Sequence, residues 1–353
     1  MRKLYLIRHA HPDFPLGAHV CLGVTDTPLG ALGRMQACLL GEALKDAGIG
    51  AVFSSPLTRC RETAAPLGRE PILVPALAEQ NMGPWDGLDF TQIRETWPEL
   101  YARRASEPLL VPPGAETLAE VQARALPALT ACLEQSEGDI ALVAHASVVQ
   151  AILAAVTGTP LEESRPLRPP YTGYAVLDYD GALHLVCRDR LPAAPLTPEL
   201  AGRLLAAAGP GVRIEAHCRA VAADALRIAE ALPLSLDREL LVSAALLHDV
   251  ARREREHAKL GAAWLQELGY PRAAALVARH HDLQNDTLDE TALLFLADKC
   301  VREDRRVRLE DRFSESAKRY TTPEALAAHA GRLAAAQAIR NKVNLLAGRR
   351  VVD

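Results

Sequence analysis

Leu4-Tyr5-Leu6-Ile7-Arg8-His9 is an apolar run of strand length that ends abruptly in a cation and an imidazole. Such a run, bounded by polar residues, reads as a buried β-strand. Three more runs of the same kind follow, at Ala51 to Phe53, Ile72 to Val74 and Ile140 to Ala144. Between them, Ala31 to Leu44, Arg59 to Leu67, Leu118 to Leu133 and Val148 to Val156 carry helical spacing. Strands alternating with helices imply an α/β fold with a mainly parallel sheet flanked by helices.

That texture stops near Leu191-Pro192-Ala193-Ala194-Pro195-Leu196-Thr197-Pro198, where closely spaced prolines favour an extended connector. Beyond it strand-like runs disappear. Ala/Leu-rich helical segments follow at Glu215 to Ala231, Arg238 to Val250, His257 to Leu268, Pro271 to His280 and Glu290 to Val301. The expected organisation is an α/β domain over 1–190, a Pro-rich linker over 191–198 and an all-α domain over 199–353. A chain of 353 residues exceeds what one core usually serves, which agrees with two domains.

Composition narrows the function classes. Hydrophobic residues make up 49% and charged residues 24%, as in a globular protein rather than a disordered one. The formal net charge of -4 and scattered basic residues leave no nucleic-acid footprint. The basic stretch Arg302 to Arg312 is interleaved with acids and reads as a solvated helix face. No segment has the apolar length to cross a bilayer, and the N-terminal apolar run is too short for a signal peptide. Seven separated cysteines without C-x-x-C spacing argue against a disulfide framework or zinc knuckle. A cytoplasmic location is expected; the oligomeric state is open.

The first half places Arg8 and His9 at the end of one strand, Arg59 after another and His145 after a third. Ligands of open α/β sheets bind beyond the carboxyl ends of the strands, so these residues can converge. Two guanidiniums match phosphate oxygens, and a neutral imidazole beside them can attack phosphorus without a metal. Leu6-Ile7-Arg8-His9-Ala10, Gly23-Val24-Thr25-Asp26-Thr27-Pro28-Leu29, Ser54-Ser55-Pro56-Leu57-Thr58-Arg59, Glu79 to Gly87 and Val143-Ala144-His145 together resemble the histidine phosphatase (phosphoglycerate mutase-like) superfamily. The resemblance implies that His9 becomes the phosphohistidine, that Arg8, Arg59 and His145 hold the phosphoryl oxygens, and that Glu79 protonates the leaving group and then activates water. It implies no cofactor. Ala10, Ala146 and His11 depart from the family pattern, with consequences expected for substrate choice.

The second half carries His217 on one expected helix, His248-Asp249 at the end of another and Asp298 on a third. Ala244 to Leu247 buries the helix bearing His248-Asp249, and a buried adjacent His and Asp need partners to offset desolvation. A metal is the simplest partner. Two imidazoles and two carboxylates suit Fe, Mn, Co or Ni. His257, His280 and His281 add three potential ligands and permit a second ion. His280-His281 as a local helix cap is the structural alternative. The order His, His-Asp, Asp over roughly 214–305 resembles the HD superfamily of metal-dependent phosphohydrolases. That resemblance implies His217, His248, Asp249 and Asp298 as core ligands and His257, His280 and His281 as second-metal ligands. Arg252 stands where many such proteins have Lys, and is a candidate substrate contact. Lys299 is either a further substrate contact or a surface lysine.

The expected function is a bifunctional phosphohydrolase acting on small-molecule phosphate esters, with a nucleotide among the candidate substrates of the second half. Two alternatives stand beside it: a phosphatase regulated by a non-catalytic metal- and nucleotide-binding sensor domain, and a mutase in which the phosphohistidine returns its phosphoryl group to a bound acceptor.

Overall fold

The computed structural model describes residues 2–104, 106–283 and 287–353. The chain separates into two compact units, residues 1–194 and 195–353.

In the first unit the elements run β1 (Arg2–Arg8), β2 (Val20–Cys21), α1 (Ala31–Leu44), β3 (Ile49–Ser54), α2 (Thr58–Ala64), β4 (Ile72–Leu73), β5 (Leu88–Asp89), α3 (Phe90–Thr96), α4 (Pro98–Arg103), α5 (Leu118–Glu134), β6 (Asp139–Ala144), α6 (Ala146–Thr157), β7 (Tyr174–Tyr179) and β8 (Leu183–Arg190). Six strands form one sheet in the order β4-β3-β6-β1-β7-β8. The first four are parallel, whereas β7 runs antiparallel to both β1 and β8. Leu4, Leu6 and Ile7 on β1 and Ile140 to Ala144 on β6 are fully buried because helices cover both faces. The small pair β2–β5 lies outside this sheet.

One register decides where the chemistry sits. On the parallel pair β1–β6, Arg8 lies opposite Ala144, so the next residues, His9 and His145, leave the sheet side by side. The His9 amide donates to the Ala144 carbonyl at 2.9 Å, carrying the ladder one residue further. Helix α1 passes very close to this corner at Gly33, where a Cβ would fall 1.9 Å from the His11 carbonyl oxygen. Only glycine lets the helix approach that far.

The second unit contains α7 (Pro198–Ala208), α8 (Val212–Glu230), α9 (Arg238–Leu247), α10 (His257–Glu267), α11 (Pro271–Arg279), α12 (Glu290–Cys300), the short strands β9 (Val301–Arg302) and β10 (Arg305–Arg306), then α13 (Leu309–Ala317) and α14 (Pro323–Leu346). Its core is built around α12, where every residue from Ala292 to Cys300 is buried, against α8 and α9. The unit is helical apart from the β9–β10 hairpin, which corrects the expectation that Arg302 to Arg312 forms a helix face. Glu303 adopts a left-handed backbone, φ 55°, and Glu303-Asp304 turns the chain tightly between the two strands. Only from Leu309 onward is the stretch helical. Among the described residues no helix is long and apolar enough to cross a membrane.

Candidate active sites

Four of the five residues singled out in the first half stand at or just beyond the carboxyl ends of β1, β3 and β6: Arg8, His9, Arg59 and His145. The His9 and His145 rings are 5.1 Å apart, edge to face. His9 Nδ1 lies 2.7 Å from the Ala10 carbonyl, which can only accept, so Nδ1 carries the proton and Nε2 presents its lone pair. Burial, then the positive charges of Arg8 and Arg59, hold the His9 pKa well below the usual range for histidine. Burial and the same cluster act on His145 in the same direction. Both rings are therefore neutral near pH 7.

Arg59 is wholly buried on the first turn of α2 and is anchored by Nη1 to the Thr25 carbonyl at 2.8 Å and by Nη2 to the Gly23 carbonyl at 2.7 Å. Arg8 donates from Nη1 to the Pro169 carbonyl at 2.8 Å and lies over the Tyr171 ring at 4.0 Å. The Nε of each arginine is buried without a hydrogen-bond partner. A buried guanidinium with an unused donor is a ready partner for an anion. Burial lowers the Arg8 pKa to about 10, which leaves it charged at neutral pH.

Glu79 comes from the loop after β4. It lines, with Arg8 and His9, a cavity of about 490 Å3. Its own Oε1 accepts the Gln80 amide at 2.9 Å, and Arg124 of α5 donates to the carbonyls of Ala76 and Glu79 at 2.6 and 3.2 Å. Two of the three departures of the sequence from the family pattern separate here. Ala146 lines the cavity, whereas Ala10 packs with Leu29 and Ala37.

Several residues at this site were given no role from the sequence, Ser55 among them although it lies inside the Ser54 to Arg59 motif. Ser55 Oγ lies 2.8 Å from His145 Nε2. Tyr171 faces Arg8, His9 and His11 together, with ring distances of 5.6 and 5.0 Å to the two histidines. Arg104, Arg165 and Arg168 add three cations to the cavity wall.

In the second unit all seven histidines and aspartates expected from the sequence meet between α8, α9, α10, α11 and α12. Three imidazoles share one device. Nδ1 of His217, His248 and His280 donates to the carbonyls of Glu303, Ala245 and Val277 at 2.8, 2.7 and 2.7 Å. Each ring is thereby fixed with Nε2 turned into the cluster, the orientation that metal-binding histidines require; Nε2 of His248 and His280 is bare, whereas that of His217 hydrogen-bonds Asp298 Oδ1. The β9–β10 hairpin supplies the Glu303 carbonyl. His280 indeed caps α11, as the alternative reading held, and still turns its Nε2 toward Asp249 at 3.6 Å.

The acids lie among these nitrogens. Asp298 Oδ1 is 3.2 Å from His217 Nε2 and 3.8 Å from His248 Nε2; Asp249 Oδ1 is 3.1 Å from His257 Nε2. His248 Nε2, His280 Nε2 and Asp249 Oδ1 are buried with no hydrogen-bond partner. Orphaned lone pairs that converge in this way fit a cation. His217, His248 and Asp249 form one group with mutually close ligand atoms, and His257, His280 and His281 form a second. Burial opposes ionisation of Asp298, yet Lys299 and the nearby imidazoles hold its pKa well below the usual carboxylate range. Burial lowers the His248 pKa to about 4. Burial opposes protonation of His217, yet its hydrogen bond to the Asp298 carboxylate raises its pKa above the ordinary histidine value, so an ion bound there would displace a proton.

Lys299 is buried, with Nζ 2.7 Å from Asp298 Oδ2, which excludes the surface-lysine reading. Arg252 is half-exposed and donates from Nη1 to His257 Nε2 at 2.8 Å. Both line a cavity of about 740 Å3 that also exposes His217, Asp249 and Asp298.

The comparisons agree with both halves. The family model "Histidine phosphatase superfamily (branch 1)" matches residues 4–186, and that of the "HD domain" matches 214–303. The glucosyl-3-phosphoglycerate phosphatase of Mycobacterium tuberculosis is 32% identical over 174 residues, covering 45% of this chain and 77% of that protein. The "Probable phosphoglycerate mutase GpmB" of Escherichia fergusonii is 29% identical over 187 residues, covering 51% and 86%. Among solved structures, YhfR of Bacillus stearothermophilus has a TM-score of 0.50 and 30% identity, covering 54% of this chain and 98% of its own. A model that spans more than half the chain, with His9 and His145 paired between Arg8 and Arg59, leaves one assignment: the chain belongs to the histidine phosphatase superfamily, as a phosphoric ester hydrolase that also carries an HD domain.

Proposed function

We propose that this protein is a bifunctional phosphohydrolase with two chemically distinct centres. In the first unit His9 Nε2 attacks the phosphorus of a small-molecule phosphomonoester while Glu79 protonates the departing oxygen. Arg8, Arg59 and His145 hold the phosphoryl oxygens and meet the charge that builds in the transition state. Glu79, then ionised, takes a proton from the water that releases phosphate from His9. The supporting observation is the single bare nitrogen of a neutral, buried His9 beside two buried guanidiniums with unused donors.

In the second unit His217, His248, Asp249 and Asp298 hold a divalent transition metal, of the Fe, Mn, Co or Ni class, and His257, His280 and His281 are placed for a second. When bound, the ion supplies Lewis-acid polarisation of a phosphoester, a nucleotide among the candidates. Arg252 and Lys299 face the same cavity and contact the substrate. The convergence of three carbonyl-fixed imidazoles supports turnover or sensing equally; the intact donor set and roomy cavity favour turnover. Buried free thiols such as Cys60, Cys132, Cys218 and Cys300 support a reducing, cytoplasmic setting.

The test uses the full chain. Part of its phosphomonoesterase activity survives a chelator, and quenching during turnover leaves the phosphoryl group on His9. His9→Ala abolishes that part, a loss of at least about 10³-fold. Normal chelator-resistant turnover in His9→Ala sinks the assignment of the nucleophile.

A further inference from the structure

The match to the HD domain ends at residue 303, but the cavity over the metal-ligand cluster does not. Part of its lining comes from α13, the turn after it and α14, which contribute Arg312, Ser316, Arg319, Tyr320, His329 and Arg332. This segment lies beyond the residues that the HD model matches, and its charge is informative.

Most cations on the cavity wall are already matched. Arg213 pairs with Glu303 at 2.8 Å, Lys299 with Asp298 at 2.7 Å, Arg332 with Asp282 at 2.7 Å, Arg302 with Glu315, and Arg252 lies 3.6 Å from Asp249. Among the described residues, the Arg312 and Arg319 guanidiniums have no carboxylate partner. They stand seven residues apart, Arg312 on α13 and Arg319 in the turn that ends it, and both face the cavity. The acids nearest the ligand cluster are committed, since Asp249 and Asp298 sit among the imidazoles and Lys299. A divalent ion there adds positive charge. A single scissile phosphate, held at the ligand cluster, leaves the Arg312 and Arg319 guanidiniums that line the same cavity without an anionic partner.

Resting on the reading of this centre as a metal-dependent phosphoesterase, we infer that α13 and its following turn form an anion-reading wall, and that the substrate carries a second phosphate beyond the scissile one, recognised by Arg312 and Arg319. Guanidiniums suit this task because their planar donors bind phosphate oxygens in pairs and never lose charge. Arg312 and Arg319 are thus specificity-determining residues. Both a multiply phosphorylated nucleotide and a bisphosphorylated sugar present this chemistry.

The test compares matched substrates on the full-length chain in a His9→Ala background, loaded with Mn2+, counting only hydrolysis that chelation removes. The pairs are adenosine 5′-monophosphate against adenosine 3′,5′-bisphosphate, and glucose 6-phosphate against glucose 1,6-bisphosphate. The doubly phosphorylated member of at least one pair has the higher kcat/KM, and the pair that shows it identifies nucleotide or sugar as the source. The double variant R312A/R319A lowers kcat/KM for that bisphosphate by about tenfold to a hundredfold, mostly through KM, and several-fold more than for its monophosphate. R312K/R319K recovers part of the loss. R305A, which removes an exposed arginine outside the cavity, changes neither member. Equal losses on both members, or none, overturn the inference. If the unsubstituted arginines are present and no pair is turned over, hydrolysis at this centre fails as a reading, and the wall is then read by calorimetric binding of inorganic pyrophosphate to the Mn2+-loaded chain. Affinity lost in R312A/R319A upholds the wall, and unchanged affinity overturns it.

Discussion

His9 has one ring nitrogen committed to the Ala10 carbonyl and the other free, so its reactivity depends on protonation of Nε2 alone. Burial, Arg8 and Arg59 all disfavour the imidazolium, which moves its pKa below the ordinary 6.5. The sign follows directly. Protonation removes the nucleophile, so the limb of chelator-resistant kcat/KM that His9 sets falls below pH 6.5. Arg8→Met removes one of the opposing charges, and the limb moves toward higher pH whatever the loss in absolute rate. A limb that stays in place in Arg8→Met counts against His9 as the titrating group. Glu79 tests the other half of the reaction. Glu79→Gln cannot donate a proton, so hydrolysis of alkyl phosphates slows by about 10²–10⁴-fold while aryl phosphates with good leaving groups lose far less. Equal losses for the two classes assign Glu79 a structural role.

Elements hold these groups in place through contacts that lie far apart in sequence. Helix α5 starts with a capping box at Thr117 and Glu120 and presents Arg124, which bonds Glu116 and the carbonyls of Ala76 and Glu79. Arg124 is thus a positioning residue for the Glu79 loop. Arg124→Met costs about 1–3 kcal/mol in stability. It also reproduces the leaving-group signature of Glu79→Gln in weaker form, with alkyl phosphates slowed about tenfold; a stability loss without that signature shows that the loop holds itself. The buried strands β1, β3 and β6 were legible from their continuous apolar runs, as were helices α1 and α5 from their spacing. Strand β8 was not, because it alternates half-buried with exposed residues and carries Arg188, Asp189 and Arg190. Helix α14 was not, because its Ala-rich 24 residues bury only His329, Ala336, Ile339 and Val343. The motif residues of both sites could be read in order along the chain, since most terminate a strand or sit on or just past the end of a helix; Glu79, in the loop after β4, was read from its motif alone. Tyr171 and the Glu303 carbonyl could not, because they act through packing and backbone geometry that spacing does not encode.

At the scale of the molecule, the two proposed centres lie in two separately compact units, 1–194 and 195–353. The first relies on guanidinium, imidazole and carboxyl groups, the second on a ligand cluster whose orphaned nitrogens and oxygen fit a cation. Asp249 is the sharpest probe of their independence. Its Oδ1 stands 3.1 Å from His257 Nε2 and 3.6 Å from His280 Nε2, while His248 Nε2 is 3.7 Å from its Oδ2, so it touches both candidate ligand groups. Asp249→Ala removes the one carboxylate common to them. Metal content of the purified chain falls, and hydrolysis that depends on added Mn2+ is lost by at least about 10²-fold. Chelator-resistant hydrolysis stays within about twofold of the unsubstituted chain, because His9, Arg8, Arg59, Glu79 and His145 all belong to the other unit. The measurement is metal analysis alongside both activities on one folded preparation. Loss of both activities in a folded Asp249→Ala chain rejects independent centres and makes metal in the second unit a regulator of the first.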